Sequence, residues 1–293
     1  MNFNLGDLYA LLTAFCWSSA VILFDFSGRS FSSLQISLIK NLIGVIGFII
    51  TIFFLKINLF EYSINEILIL IFSGILGVGI ADLLFLKSLS VLGAGISAII
   101  STIYVPSIFL FAFIFFGEII TIKVILGGIL ITFAIFIGTF KNVNNINKKM
   151  LPKAVLFGIL AQIFTAISLL MVKPIMNNHS IISVAMIRFS VGLFVTIFYL
   201  LLTKGIHHLK VTFRFGLVNP YIVLGSILGT YLSVIFWLAG FKYTLASRAA
   251  VYNELSIILI IIMASLFLNE TMTKRKWFAV LIAMTGALII SLN

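Results

Sequence analysis

Four ionisable residues lie inside long apolar runs of this 293-residue sequence, and they are the first candidates for chemistry. They are Lys40, Asp82, Arg188 and Glu254. Because a charge at membrane depth is costly, such a side chain faces protein or a water-filled cavity and has a partner. Asp82 could exchange a proton, bind an amine or pair with Lys87, although a spacing of five residues is geometrically poor for a pair within one helix.

For the other three charges, structural roles compete with binding roles. Lys40 and Arg188 could extend toward the membrane surface on their long side chains, pair with a carboxylate, or attract an anionic group, and the first two roles are favoured. Glu254 is rotated about 160° around its helix from Ser256, at 100° per residue. We therefore expect Glu254 to pair with Arg188 or Lys40, with proton exchange as the alternative.

Polar side chains at helical spacing form a second group of candidates. Ser97, Ser101 and Tyr104 follow i, i+4 and i+7, which places them on one face of a helix. A matching face recurs in the second half of the chain, at Ala249, Asn253 and Ser256, with Tyr252 beside it. Each stripe could line a cavity or form hydrogen bonds between helices. Pro106 should kink the first of these helices near Ser101.

Aromatic and amide side chains complete the candidate binding set. Trp237 occupies the position in the second half that Asp82 occupies in the first, and an aromatic ring there could stack on a ligand or shield it. Trp17 could shape the same cavity, and Gln162 lies in the corresponding region of the second half. Both could instead be ordinary helix–helix contacts. We include Tyr231 in the same binding set.

Enzyme and metal motifs are missing from the sequence. It has no zinc-protease motif, no phosphate-binding loop and no combination of cysteine with histidine. We place its three histidines, His179, His207 and His208, in loops. We therefore expect no catalytic residues, no metal and no cofactor.

The elements that must position these residues are membrane helices. Apolar residues make up 62% of the chain and charged residues 9%, and a soluble domain of this size could not cover such a surface with polar groups. The apolar runs are longer than buried strands need, and they lack the alternation of an outer-membrane barrel. The net charge of +11 then fits lipid headgroups next to short loops better than nucleic acid.

We predict an all-α integral membrane protein with ten transmembrane helices. The predicted spans are 5–25, 32–55, 64–86, 93–116, 121–140, 152–174, 180–203, 217–241, 245–268 and 273–292. A polar linker at 141–151 separates a first half, 1–140, from a second half, 152–293.

The two halves repeat each other. Residues 74–87 match residues 229–242, and the motif that begins at Glu118 matches the motif that begins at Glu270. Each half holds five spans, an odd number, so the copies must face the membrane in opposite directions as inverted repeats. Glu118 and Glu270 then lie on opposite sides of the membrane, and each marks the turn before the last helix of its half.

Loop charges predict the orientation of the chain. Apart from Lys40 and Arg188, the chain has seventeen lysines and arginines in loops or near the ends of spans, and twelve of them fall on the side of the linker. Because cytoplasmic loops carry the excess of such residues, the linker should be cytoplasmic and both termini outside. The expected location is the cytoplasmic membrane of a prokaryote.

Two stretches of sequence carry a family resemblance: ISTIYVPSIFLFAFIFFGEIITIKVILGG (100–128) and FKYTLASRAAVYNELSIILIIIMASLFLNETMTKRKWFAVLIAMTGALI (241–289). Together with LGDLYALLTAFCWSS near the start and the single cations Lys40 and Arg188, they make the chain resemble the EamA-type drug/metabolite transporter superfamily over essentially its whole length. The resemblance implies two inverted repeats around a central cavity, through which small metabolites move by alternating access. It leaves the substrate open.

We therefore expect a secondary transporter of a small polar or amphipathic metabolite. Two carboxylates at depth favour an amino acid or an amine-like compound. The expected partners are that small molecule and the lipid bilayer, with a coupling proton or ion left open and no nucleic acid, and the protein would be a monomer or a homodimer. The alternative is a non-transporting accessory or sensor protein of the membrane that retains the fold.

Overall fold

The computed structural model describes residues 5–58, 62–117, 122–139, 150–243 and 246–291, and this part of the chain is helical, without strands. The first half contains α1 (Leu5–Gly28), α2 (Ser33–Leu55), α3 (Ile64–Ser73), α4 (Asp82–Ser101), α5 (Tyr104–Phe116) and α6 (Ile122–Thr139). The second half contains α7 (Leu151–Asn178), α8 (Ile181–Gly216), α9 (Pro220–Ser226), α10 (Ser233–Tyr243), α11 (Ala246–Phe267) and α12 (Lys274–Ser291).

Much of the outer surface of these helices is apolar. Phe53 and Phe54 at the end of α2 are 79% and 74% exposed, and Phe194 on α8 is 69% exposed. Within the described residues, six helical segments are long and apolar enough to cross a membrane. Helices satisfy their backbone hydrogen bonds internally, so these surfaces can lie directly against lipid. The chain is an integral membrane protein.

Helices of one half pack mainly against helices of the other. The most extensive contacts join α1 with α11, α2 with α8, α4 with α7, and α6 with α12. Small residues permit this close approach. A side chain at Gly44 of α2 would lie 2.6 Å from Thr230 Cγ2, and one at Gly229 would lie 2.5 Å from Ala20 Cβ on α1. The core of the protein therefore lies between the two halves.

Two π-helical segments interrupt the bundle at matching places. Gly74–Ala81 joins α3 to α4, and Ile227–Leu232 joins α9 to α10. Each segment overlaps the start of one member of the repeated pair 74–87 and 229–242. Such segments are often found at functional sites, because the wider turn redirects side chains and frees backbone groups.

Two glycines set helix breaks that differ from the predicted boundaries. The chain stays helical through residues 87–92 and breaks at Gly93, where φ is +76°. Likewise α8 continues past the predicted end at residue 203, breaks at Gly205 with φ +75°, and ends at Gly216. Glycine adopts these left-handed angles without steric cost. The placement of His207 and His208 in a loop was therefore wrong, because both lie on the last part of α8.

The helix that carries the first polar stripe is broken next to its proline. The structure ends α4 at Ser101 and begins α5 at Tyr104, two residues before Pro106. Proline has no backbone N–H to donate to the carbonyl of Thr102, which interrupts the helix where the sequence predicted a kink. The predicted span 93–116 is thus two short helices that meet beside Ser101.

Candidate functional site

A cavity of about 170 Å³ lies between the two halves of the chain. Its volume suits a small molecule or a cluster of waters. Nine of the thirteen residues predicted for binding or for charge pairing line it, and they come from both halves: Trp17, Lys40, Asp82, Ser101, Tyr104, Gln162, Arg188, Trp237 and Asn253. Of the other four, Ser97, Tyr231 and Tyr252 are not lining residues, and the side chain of Glu254 falls outside the described residues.

Lys40 and Asp82 form an ion pair in the cavity wall. Lys40 Nζ donates to Asp82 Oδ2 and also to Asn41 Oδ1 at 3.0 Å, and it lies 5.6 Å from the centre of the Phe189 ring. Lys40 is only 5% exposed, so its side chain does not extend to the membrane surface. The considered pair of Asp82 with Lys87 does not form, and the Lys87 ammonium instead lies over aromatic rings.

Arg188 is the second cation of the cavity and is 2% exposed. Its Nη2 donates to Ser168 Oγ at 2.6 Å, and the Ser168 hydroxyl donates to the Ser73 carbonyl at 3.0 Å. The extension of Arg188 to the membrane surface was therefore also a wrong expectation. Among the described residues, its Nε and Nη1 find no acceptor. Arg188 thus holds a full charge with part of its hydrogen-bonding capacity unused.

The first polar stripe both lines the cavity and joins the halves. Gln162 Nε2 on α7 donates to Ser101 Oγ on α4 at 3.1 Å, and Ser101 Oγ donates to the Ser97 carbonyl at 2.9 Å. Ser97 itself is buried one turn from Ser101 and is not a lining residue. The two interpretations of the stripe, cavity lining and contact between helices, therefore both apply.

The second stripe contributes Asn253 and Ser256 from α11. The amide nitrogen and oxygen of Asn253 make no hydrogen bond with any described residue. Tyr252 lies on the same helix but outside the lining set. Glu254 also lies on α11, and its side chain falls outside the described residues, so its expected pairing stays a prediction.

Aromatic rings form the apolar part of the cavity wall. The Trp17 ring packs 5.5 Å from that of Phe85, and the Trp237 ring lies 6.0 Å from that of Phe241. Tyr231 points elsewhere: its hydroxyl makes a 2.6 Å hydrogen bond with Thr51 Oγ1 on α2. The position of Tyr231 in a π-helical segment accounts for this, since the angle between residues there differs from that of an α-helix.

Besides Ser256 of the second stripe and Thr165, which follows Gln162 by three residues on α7, three polar lining residues were not among the predicted ones: Thr13, Thr230 and Ser233. Two of them had a signal in the sequence. Thr13 precedes Trp17 by four residues, and Ser233 precedes Trp237 by four, so each lies on the helix face of its tryptophan. Thr230 lies in the second π-helical segment, where the four-residue spacing of an α-helix does not show which residues share a face.

Glu270 makes a contact between the halves through backbone groups. Its Oε1 accepts a hydrogen bond from the N–H of Ala94 at 2.8 Å, and its Oε2 accepts one from the N–H of Gly95 at 3.2 Å. Lys276 Nζ lies 3.7 Å from the same carboxylate. Glu270 therefore does more than mark a turn. Its repeat partner Glu118 falls outside the described residues.

Comparison with known proteins agrees with this architecture. A solved crystal structure superposes on this chain with a TM-score of 0.70 at 12% sequence identity. The match covers 98% of this chain and 96% of the chain in that structure, which shows a shared fold. None of the curated proteins matches the sequence. The EamA-like transporter family matches residues 4–140 and again residues 152–292. These two matches span nearly the whole chain, and the protein therefore belongs to the EamA-like transporter family, a family of membrane transporters.

Proposed function

We propose that this protein is a secondary transporter that moves a small polar or amphipathic metabolite, with amino acids and amine-like compounds favoured. Transport would proceed by alternating access of the central cavity to the two sides of the membrane. The site would bind its substrate without catalytic residues, metal or cofactor.

The observation that carries the proposal is a small cavity whose polar groups are partly unused. Asn253 and Arg188 keep free hydrogen-bonding groups in its wall, while aromatic rings cover its apolar side. Polar groups buried without partners are costly, so such a wall favours an occupant that supplies them. A few placed polar groups in an otherwise apolar pocket are typical of small-molecule sites.

The proposed architecture is ten spans in two inverted repeats, 1–140 and 152–293, joined by a linker at 141–151. It is supported by the contacts between equivalent elements of the two halves, such as α2 with α8 and α6 with α12. The matched π-helical segments Gly74–Ala81 and Ile227–Leu232 support it further. A site at the interface of such repeats is a recurrent arrangement in transporters. We place the protein in the cytoplasmic membrane of a prokaryote with both termini outside.

Coupling to a proton or ion would act through the buried charges. Asp82 is the described carboxylate in the cavity, and its partner Lys40 could release it when an amine or a proton arrives. Glu254 on α11 is the second candidate for such a role. Replacement of both, by Asp82→Asn and Glu254→Gln, should make transport independent of a pH gradient. Transport that stays fully proton-dependent in the double variant would overturn the coupling assignment.

The proposal is tested by transport into proteoliposomes. Purified protein is reconstituted, loaded with a mixture of unlabelled amino acids, and assayed for exchange with labelled amino acids and amines. The variant Ser101→Phe should abolish exchange, because the ring would fill the cavity beside Gln162. The control Ser19→Phe places the same ring on α1 outside the lining set and should leave exchange intact.

Two results would count against transport. If ligands bind the purified protein but no labelled compound crosses the membrane, the protein is the accessory or sensor form of the fold. If Ser101→Phe and Ser19→Phe exchange substrate equally well, the cavity is not the path.

A further inference from the structure

We propose that the cavity binds the anionic group of its ligand, a carboxylate, at Arg188. The inference rests on the proposed function, because it takes the cavity to be the substrate site. It deepens that function by separating carboxylate-bearing metabolites from simple amines, both of which the sequence left open.

The charge of the cavity is the first argument. Its described lining residues include two cations, Lys40 and Arg188, and one carboxylate, Asp82. Among the described lining residues one positive charge is therefore unbalanced, in a wall where charge is expensive. A monoanionic group would balance it, whereas a cationic amine would add to the excess.

The pairing of those charges is the second argument. Asp82 is already engaged by Lys40, so the carboxylate that would attract an amine is neutralised by a buried ammonium. Arg188 forms no ion pair with a described residue, and Asp82, which Lys40 already holds, acts on it only as a nearby charge. Only its Nη2 donates, to the neutral hydroxyl of Ser168 at 2.6 Å. The group that most lacks a counter-charge is thus a guanidinium.

The chemistry of the guanidinium is the third argument. Arginine keeps its positive charge under all physiological conditions, and its N–H groups match the oxygens of a carboxylate. Nε and Nη1 of Arg188 donate to no described residue. A water molecule could accept a hydrogen bond from one of these donors, but it would leave the positive charge of Arg188 uncompensated. A carboxylate would satisfy both the donors and the charge.

The other lining residues indicate what the remainder of the ligand molecule should be. Trp17 and Phe85 pack together on one side, and Trp237 contributes a third ring. These rings favour an aromatic or branched apolar group. The unused amide of Asn253 can bind a further polar group, of either donor or acceptor type. The ligand class is therefore an amphipathic carboxylic acid, which includes apolar amino acids and excludes amines without a carboxylate.

This inference is tested with three matched probes, whose binding to the full protein in lipid nanodiscs is measured by isothermal titration calorimetry. Phenylalanine carries an amine and a carboxylate, 3-phenylpropanoate carries the carboxylate alone, and phenethylamine carries the amine alone. Phenylalanine and 3-phenylpropanoate should bind, and phenethylamine should bind at least about tenfold more weakly, as expected for the loss of a charged hydrogen bond.

Variants of Arg188 assign the effect to that side chain. Arg188→Gln should weaken the binding of 3-phenylpropanoate by about tenfold or more and should not weaken the binding of phenethylamine. Arg188→Lys keeps the charge but loses the planar set of donors, and it should weaken 3-phenylpropanoate by a smaller factor. Arg188→Lys provides the test of the anion site if Arg188→Gln does not fold. The control Arg214→Gln removes an exposed arginine from α8 and should change neither ligand.

The inference is wrong if phenethylamine binds as tightly as 3-phenylpropanoate, or if folded Arg188 variants bind 3-phenylpropanoate normally. It is also wrong if neither acid binds. Failure of the proposed function looks different. Binding of the acids without transport in proteoliposomes would overturn transport and keep the anion site, whereas transport of phenethylamine unaffected by Arg188 variants would overturn the anion site and keep transport.

Discussion

The carboxylate of Glu270 accepts a hydrogen bond from the backbone N–H of Ala94, which lies 176 positions earlier in the chain. Ala94 directly follows the break at Gly93, so the carboxylate satisfies N–H groups that begin a new helical run. Its negative charge also complements the positive end of that helix. Through this contact, the turn between α11 and α12 fixes the start of the helical run that carries Ser101.

Glu270→Gln should destabilise the protein. The amide keeps the shape of the side chain but loses the charge, and its NH₂ group cannot accept from the backbone. We expect the free energy of unfolding to fall by about 1–3 kcal/mol, measured by thermal unfolding in detergent. Lys276→Gln should have a smaller effect, because the ion pair is longer, at 3.7 Å. Equal effects of the two variants would show that the ion pair matters more than the backbone contact.

Gly95→Ala should lower the melting temperature through the same contact. A side chain at Gly95 would lie 2.7 Å from Glu270 Oε2, and the carboxylate would have to move away from the backbone N–H groups. The matched control is Gly28→Ala, since a side chain there meets nothing within 4 Å. If both variants unfold at the temperature of the unchanged protein, the close approach of Glu270 is not required.

The Lys40–Asp82 pair should show strong coupling in a double-mutant cycle. Lys40→Gln or Asp82→Asn alone leaves one buried charge without its partner, which is costly. The double variant removes both charges together. We therefore expect the single changes to sum to more than the double change, with a coupling free energy of about 1–3 kcal/mol from thermal or denaturant unfolding. Additive effects would mean that the two side chains act independently.

Ser168→Ala should destabilise the region around Arg188. It removes the acceptor of Arg188 Nη2 and both contacts of the Ser168 hydroxyl with Ser73, to the Ser73 carbonyl and to the Ser73 hydroxyl. Loss of a buried partner to a charged donor costs about 1–3 kcal/mol. Ser19→Ala is the control, because the Ser19 hydroxyl donates only to the Phe15 carbonyl within its own helix. An unchanged melting temperature for Ser168→Ala would show that Arg188 holds its position without this hydroxyl.

Sequence patterns within single helices predicted most of the polar residues that line the cavity, but not the contacts between those residues. The cost of a charge at membrane depth was enough to select Lys40, Asp82 and Arg188, which all line it. The partner of Asp82 could not be predicted, because Lys40 lies 42 positions away and on another helix. Spacing along one helix shows which residues share a face, but it does not show which other helix meets that face.

A departure from regular α-helix geometry explains why Tyr231 was misplaced. Tyr231 was included in the binding set, and the π-helical segment directs it instead to Thr51. The segments 87–92 and 204–216 were predicted as loops, whereas the structure makes them helical apart from single-residue breaks at Gly93 and Gly205. A glycine in such a run can be a packing contact or a break, and only the backbone angles distinguish the two.

The distribution of contacts between the halves bears on how the chain is made. Lys40 and Asp82 both belong to the first half, and Arg188 and Ser168 both belong to the second. Each of these cations thus has a partner that is synthesised in its own half. During biosynthesis the first half can enter the bilayer with Lys40 already neutralised by Asp82, before the ribosome reaches the second half.

The contacts between the halves complete the assembly later. Gln162 can bond Ser101 only once α7 has been inserted, and Glu270 can bond Ala94 only once nearly the whole chain exists. A chain truncated before Glu270 would therefore keep its charge pair but leave the N–H groups after Gly93 without this carboxylate. The helical run that carries Ser101 thus acquires its last stabilising contact only near the end of synthesis.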